Sequence, residues 1–136
     1  VNLANYGRIL AALFKAAGTA GDDPVFTLQQ AQDNAGTGAK ALNFTTIYSK
    51  VGAQTGIGTF TKITQAAANT YTDTTSAENQ AILAVEVIAE QLDVANGYTH
   101  IQIVIPDVGT NAQLGCAFYL ALEPRFAADT SLTAID

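Results

Sequence analysis

The chain has no tryptophan, no methionine, one histidine and one cysteine among its 136 residues. A single cysteine has no intrachain partner, which excludes a disulfide framework, and one histidine with one cysteine cannot assemble a zinc site. Charge is scarce as well. Only 13% of residues are charged, against roughly a quarter or more on the surface of a lone soluble globule. That deficit implies that much of the surface meets other protein.

The six basic side chains, Arg8, Lys15, Lys40, Lys50, Lys62 and Arg125, are scattered and outnumbered by twelve acidic ones, giving a net charge of −6. Nucleic-acid binding depends on clustered neutralisation of phosphates, so DNA and RNA are disfavoured as partners. No apolar run reaches the length of a membrane span, and the first residues lack a basic n-region followed by a longer apolar h-region. The chain therefore reads as soluble, with no membrane partner. It begins at Val1 and not at a methionine, so residues can precede it in the full gene product.

What the chain does have is 25 alanines, 17 threonines and 11 glycines. Threonine suits a pleated, half-buried surface, and glycine and alanine permit tight corners and close sheets. At this length one domain, residues 1–136, is expected, with a core large enough to need no staples. Eight short segments read as strands: 6–14, 25–32, 40–48, 59–64, 70–72, 81–89, 99–105 and 114–122. They are separated by Gly, Asn and Asp clusters such as KAAGTAGDDP and DNAGTG. In 40–48 the period of two places Leu42, Phe44, Thr46 and Tyr48 on one face and Ala41, Asn43, Thr45 and Ile47 on the other. In 99–105 it separates Ile101, Ile103 and Ile105 from His100, Gln102 and Val104.

Two segments also carry helical spacing: 3–17, and the run after Thr75-Ser76-Ala77-Glu78, which has the form of a capping box. The β-branched Ile82, Val85, Val87 and Ile88 favour strand for 81–89. Glu90-Gln91-Leu92-Asp93 reads as a short helical turn ahead of the Asn96-Gly97 turn. The expected fold is all-β: an antiparallel β-sandwich, jelly-roll-like, with at most one or two helical turns.

Each chemical motif meets a plainer explanation. Cys116 as a nucleophile needs His100 as its base. It lies in phase with Phe118, Leu120 and Leu122, a row expected to point inward and to leave the thiol buried and inert. Asp22, Asp23, Asp73, Asp93 and Asp107 offer hard oxygen ligands for calcium, but without the alternating acidic pattern of an EF-hand loop they read as turn residues. GTGAK at 36–40 is too short for a phosphate loop and precedes a strand, where such a loop needs a helix. The sequon Asn43-Phe44-Thr45 falls within a predicted strand. Glu86 lacks a second carboxylate for glycosidase chemistry, so it is expected to face solvent or a neighbouring subunit. Pro124 should end the last strand and present Arg125 and Phe126 at an edge. No catalytic set, cofactor site or metal site is expected, and Tyr6, Arg8, Arg125 and Phe126 are the candidate subunit-contact residues.

The run NGYTHIQIVIPDVGTNAQLGCAFYLALEPRF, with VNLANYGRI, FTLQQAQDNAGTGAKALNF and TYTDTTSAENQAILAVEVIAEQLDV, resembles a group of small head-associated proteins of tailed bacteriophages. The resemblance spans nearly the whole chain and rests on packing and turn signatures. It implies a non-enzymatic capsid decoration or cement protein, made in the host cytoplasm and placed on the capsid exterior. Its partner would be the major capsid protein, and a homo-oligomer, dimer or trimer, is expected. The alternative is a carbohydrate- or receptor-binding β-sandwich of a tail or surface protein, stacking sugars on Tyr48, Tyr71, Tyr98 or Tyr119.

Overall fold

The computed structural model describes residues 1–52, 59–72, 79–110 and 113–125. Within them nine strands form two antiparallel sheets, so the all-β sandwich expected from the sequence is the observed class. In chain order the strands are β1 (Tyr6–Lys15), β2 (Val25–Ala31), β3 (Lys40–Ala41), β4 (Phe44–Val51), β5 (Thr61–Ala68), β6 (Thr70–Thr72), β7 (Ala81–Ile88), β8 (His100–Val104) and β9 (Gly115–Pro124). Of two single-turn 3-10 helices, Ala89–Gln91 overlaps the helical turn expected at 90–93, and Val94–Asn96 leads into the expected Asn96-Gly97 turn, with Gly97 at φ 82°. Both segments with helical spacing are strands in the structure; the capping-box residues 75–78 lie outside the described residues. Among the described residues no helix is long and apolar enough to cross a membrane.

The first sheet has the order β5-β4-β7-β1-β9. The second is built around β2. Thr27 pairs with both Thr70 of β6 and Val104 of β8, and Gln29 pairs with both Ala41 of β3 and Gln102 of β8. A strand has only two edges, so β8 runs along one edge of β2 while β6 and β3 follow each other along the other. Residues 1–3 extend this sheet beyond β8: Leu3 N–H donates to Thr99 O at 2.9 Å and Ile101 N–H to Val1 O at 2.9 Å.

The core lies between the sheets. Ile9, Ala11 and Leu13 of β1, Leu83, Val85 and Val87 of β7 and Ile47 of β4 meet Phe26 and Leu28 of β2 and Ile101 of β8. Phe26 and Phe44 pack edge to face, their ring centroids 6.0 Å apart. Complete burial of each large apolar side chain stabilises the fold by about 1.5–3 kcal/mol. Ile103 and Ile105 pack on this core with Ile101, as the alternation in β8 predicts.

The segment 40–48, read as one strand, is two. The chain leaves the second sheet at Ala41, crosses through Leu42 and Asn43 and enters the first at Phe44. Its hairpin partner does the same through Asn69, between β5 and β6. The peptide group of Leu28 holds both crossings: its N–H donates to Asn69 O at 2.8 Å, and its carbonyl accepts Leu42 N–H at 3.2 Å and Asn69 Nδ2 at 3.4 Å. Strands that change sheet at a corner commonly do so through a bulge. Here Phe44 pairs with Ala68 and Thr46 with Thr64, two residues advancing on β4 against four on β5. The irregularity reverses the alternation, so Leu42 and Phe44 are buried with Ile47 and Ser49, while Thr46 and Tyr48 turn outward. This corrects the single-face assignment of Leu42, Phe44, Thr46 and Tyr48.

Candidate interaction surface

The last strand decides where this molecule can meet another. In β9 the ladder with β1 places Ala121, Tyr119 and Ala117 opposite Ile9, Ala11 and Leu13, the buried row of β1. Cross-strand partners share a face, so Ala117, Tyr119 and Ala121 lie on the face toward the second sheet, where Tyr119 is half-buried and the two alanines remain exposed. Cys116, Phe118, Leu120 and Leu122 therefore point outward, beside Phe14, Ala12, Leu10 and Arg8. The expectation of a buried thiol on an inward row is thus overturned. Cys116 is exposed, and Phe118, Leu120 and Leu122 keep 39%, 50% and 43% of their surface in solvent. Both rows of the strand are uncharged between residues 114 and 122, so hydrophobicity cannot say which faces the second sheet; the register against β1 does.

The outward row continues across the sheet. Leu10 and Phe14 are half-buried, and the larger neighbours leave Ala12 only 1% exposed. On β7, Ile82, Ala84, Glu86 and Ile88 lie opposite Phe14, Ala12, Leu10 and Arg8. The outer face of β9, β1 and β7 is consequently an apolar surface, with Leu114 at its end 78% exposed. Tyr48 and Lys50 of β4, opposite Ala84 and Ile82, form its polar flank.

One end of this face carries a charge cluster joining three strands. Arg8 of β1 pairs through Nη1 with Glu86 of β7, and its Nη2 lies 3.3 Å from Glu123 of β9. Local geometry explains the third member. Glu123 has φ 53°, the one described residue other than glycine with positive φ, and its side chain folds over Gly7. A Cβ on Gly7 would stand 3.0 Å from the Glu123 carboxylate. Glu86, expected to face solvent or a neighbour, does lie on the outer face.

The other polar groups serve local structure. Asp93 accepts from Lys40 Nζ at 2.5 Å and from Asn96 Nδ2 at 2.9 Å. The Lys40 bond first, then the Asn96 bond, hold its carboxyl below the ordinary aspartate range. Lys40 also sits 4.0 Å from the ring centroid of Tyr98, whose hydroxyl donates to Gly38 O. Asp33 caps its own turn by accepting from Ala35 and Thr37 N–H, each at 2.9 Å. Hydrogen bonds from Thr37 are the main cause of its lowered pKa.

Cys116 and His100 are not brought together: the thiol faces away from the second sheet, and His100 Nδ1 is 2.9 Å from Thr99 Oγ1 on that sheet. Among the described residues no group of three or more His, Cys, Asp or Glu is placed to hold a metal; Asp73 lies outside them. The four tyrosines do not share a platform. Tyr48 is on the outer face, Tyr71 and Tyr119 pack against the core, and Tyr98 is under Lys40. Tyr119 also ties the two sheets together. Burial raises its pKa, and its hydroxyl accepts Ile103 N–H at 2.8 Å, joining β9 to the edge of β8.

Of the candidate contact residues, Tyr6 begins β1, half-buried and opposite Pro124, and Arg8 anchors the charge cluster on the apolar face. Arg125 donates its N–H to Asn5 O at 2.8 Å and lines a shallow, mainly apolar groove with Leu3, Ala89, Leu92 and Val94. Phe126 lies outside the described residues. The outward row of β9 was hidden in the sequence because the register is a long-range property. No protein-family model matches the chain, and comparisons with curated proteins and with solved structures found no match.

Proposed function

We propose that this protein is a non-enzymatic structural component of a virion that decorates or cements the exterior of a phage capsid by binding the major capsid protein. The observation that carries this reading is the outward apolar row of β9, continued by Leu10, Phe14 and Ile82 on the neighbouring strands. Large side chains left in solvent on a sheet face mark a surface that meets another protein. The scarcity of charge and the net charge of −6 support the same reading, since a protein on a DNA-filled shell must not grip nucleic acid.

The binding mechanism is burial. Covering the solvent-exposed parts of Leu114, Phe118, Leu120 and Leu122 contributes about 1 kcal/mol for each residue. One copy therefore holds weakly unless the contact extends to the roughly 1,600 Å² of a specific interface. Repetition over many symmetry-related copies turns modest contacts into resistance of the whole shell. The Arg8–Glu86–Glu123 cluster at the end of the face orients the contact more than it strengthens it.

The test uses shells assembled without the protein. Purified protein added to them should co-sediment in proportion to the shell subunit and raise their resistance to heat. Phe118→Ser with Leu120→Ser should abolish attachment while the chain still folds, because neither side chain belongs to the core between the sheets and they are already 39% and 50% in solvent. Shells whose composition and heat resistance are unchanged by the protein end the reading.

A further inference from the structure

The free edge of β9 is as unusual as its face. Ala16 N–H donates to Leu114 O at 2.8 Å, which sets the phase of the β1–β9 ladder. With period two, the peptide groups of Cys116, Phe118, Leu120 and Leu122 bond to β1, and those of Gly115, Ala117, Tyr119 and Ala121 face the other way. No described strand pairs with that second edge. Long edge strands are normally blunted by an interior lysine, a proline or a bulge. Here residues 114–122 contain none of these, and the ladder with β1 shows no register shift.

We propose that a second copy of this chain covers the edge, β9 pairing antiparallel with β9 of its partner about a twofold axis through Phe118. Self-complementarity selects this occupant and register. Leu114 falls opposite Leu122, Cys116 opposite Leu120 and Phe118 opposite itself on the outward row; Gly115 falls opposite Ala121 and Ala117 opposite Tyr119 on the inward row. All nine uncharged residues face one another, and Glu123 is carried beyond them to Gln113, so no like charges meet. Gly115, Ala117, Tyr119 and Ala121 of both copies would form about eight backbone hydrogen bonds, within the usual complement of a specific interface. Twofold pairing uses the edge once and closes, whereas a one-sided contact would propagate into a filament. The two five-stranded sheets then join into one of ten strands, and the apolar outer faces of β9, β1 and β7 in each copy become continuous over its central six. The inference goes beyond the capsid reading and does not rest on it.

Sedimentation of the full chain from micromolar to several hundred micromolar, with a cysteine variant, tests it. In the proposed register Cys116 and Leu120 of the partner copy form a non-hydrogen-bonded pair, with Cα atoms about 4.5 Å apart, within disulfide reach. Leu120→Cys should therefore yield a covalent dimer joined between positions 116 and 120 when oxidised glutathione accepts the electrons, and the unmodified chain should not. Ala117→Pro removes an edge N–H without touching the β1 ladder and should weaken dimerisation about tenfold or more. A monomer at every concentration overturns the proposal, as does a dimer in which Leu120→Cys links no better than the parent. Should Ala117→Pro fail to fold, the cross-link still decides. A monomer that nonetheless attaches to shells would remove the dimer and leave the capsid reading standing.

Discussion

At the scale of single residues, two kinds of hydrogen-bonding group have measurable duties. Tyr119 closes the seam between the sheets by accepting Ile103 N–H. Tyr119→Phe keeps the ring and leaves that amide without its partner, so unfolding in urea should show a loss of about 1–2 kcal/mol. Asp33 and Asp93 have folded-state pKa values below those of an unfolded aspartate. Groups depressed in this way stabilise the fold above the unfolded value, about 3.9, and lose that contribution as pH falls through the folded value. The urea midpoint should be flat from neutral pH down to about 5 and decline below about 4. Asp33→Ala should narrow its difference from the parent over the acidic interval.

Elements were more legible in the sequence than their faces. Alternation and turn clusters located all eight predicted segments, because each depends on residues close together in the chain. The division of 40–48 into β3 and β4 was not legible: the break is made by Leu28, on another strand, whose peptide group holds both crossings. The orientation of β9 was inverted for the same reason. Its two rows, Cys116 with Phe118, Leu120 and Leu122 against Ala117 with Tyr119 and Ala121, are told apart only by the partner strand. A stretch so dependent on its neighbour should be sensitive where the two backbones approach. A Cβ on Gly115 would lie 2.7 Å from Phe14 O, a backbone atom that cannot rotate away. Gly115→Ala should cost about 1–3 kcal/mol and speed amide exchange in β9 before it affects β4 or β7.

For the molecule as a whole, the candidate surface was only half legible. Low charge pointed to contact with other protein, and Arg8, named from the sequence as a contact candidate, sits at the end of the apolar face. The apolar row itself was assigned to the core, since hydrophobicity measures a side chain's affinity for burial and not whether burial occurs within one chain or between two. A consequence follows for solution behaviour. The parent protein should bind an apolar dye such as ANS while fully folded, and Phe118→Ser with Leu120→Ser should reduce that signal severalfold at temperatures where both proteins remain folded, with a melting temperature lowered by the lost partial burial of the two side chains. A dye signal that survives the double change would move the exposed surface elsewhere.

The chain passes from one layer to the other at both margins: through Leu42 and Asn69 on one side, and between residues 3 and 6 on the other. Traction on the outer face by any bound partner would travel through covalent backbone into the far layer instead of prising apart greasy contacts. Such a body yields as a single unit under load.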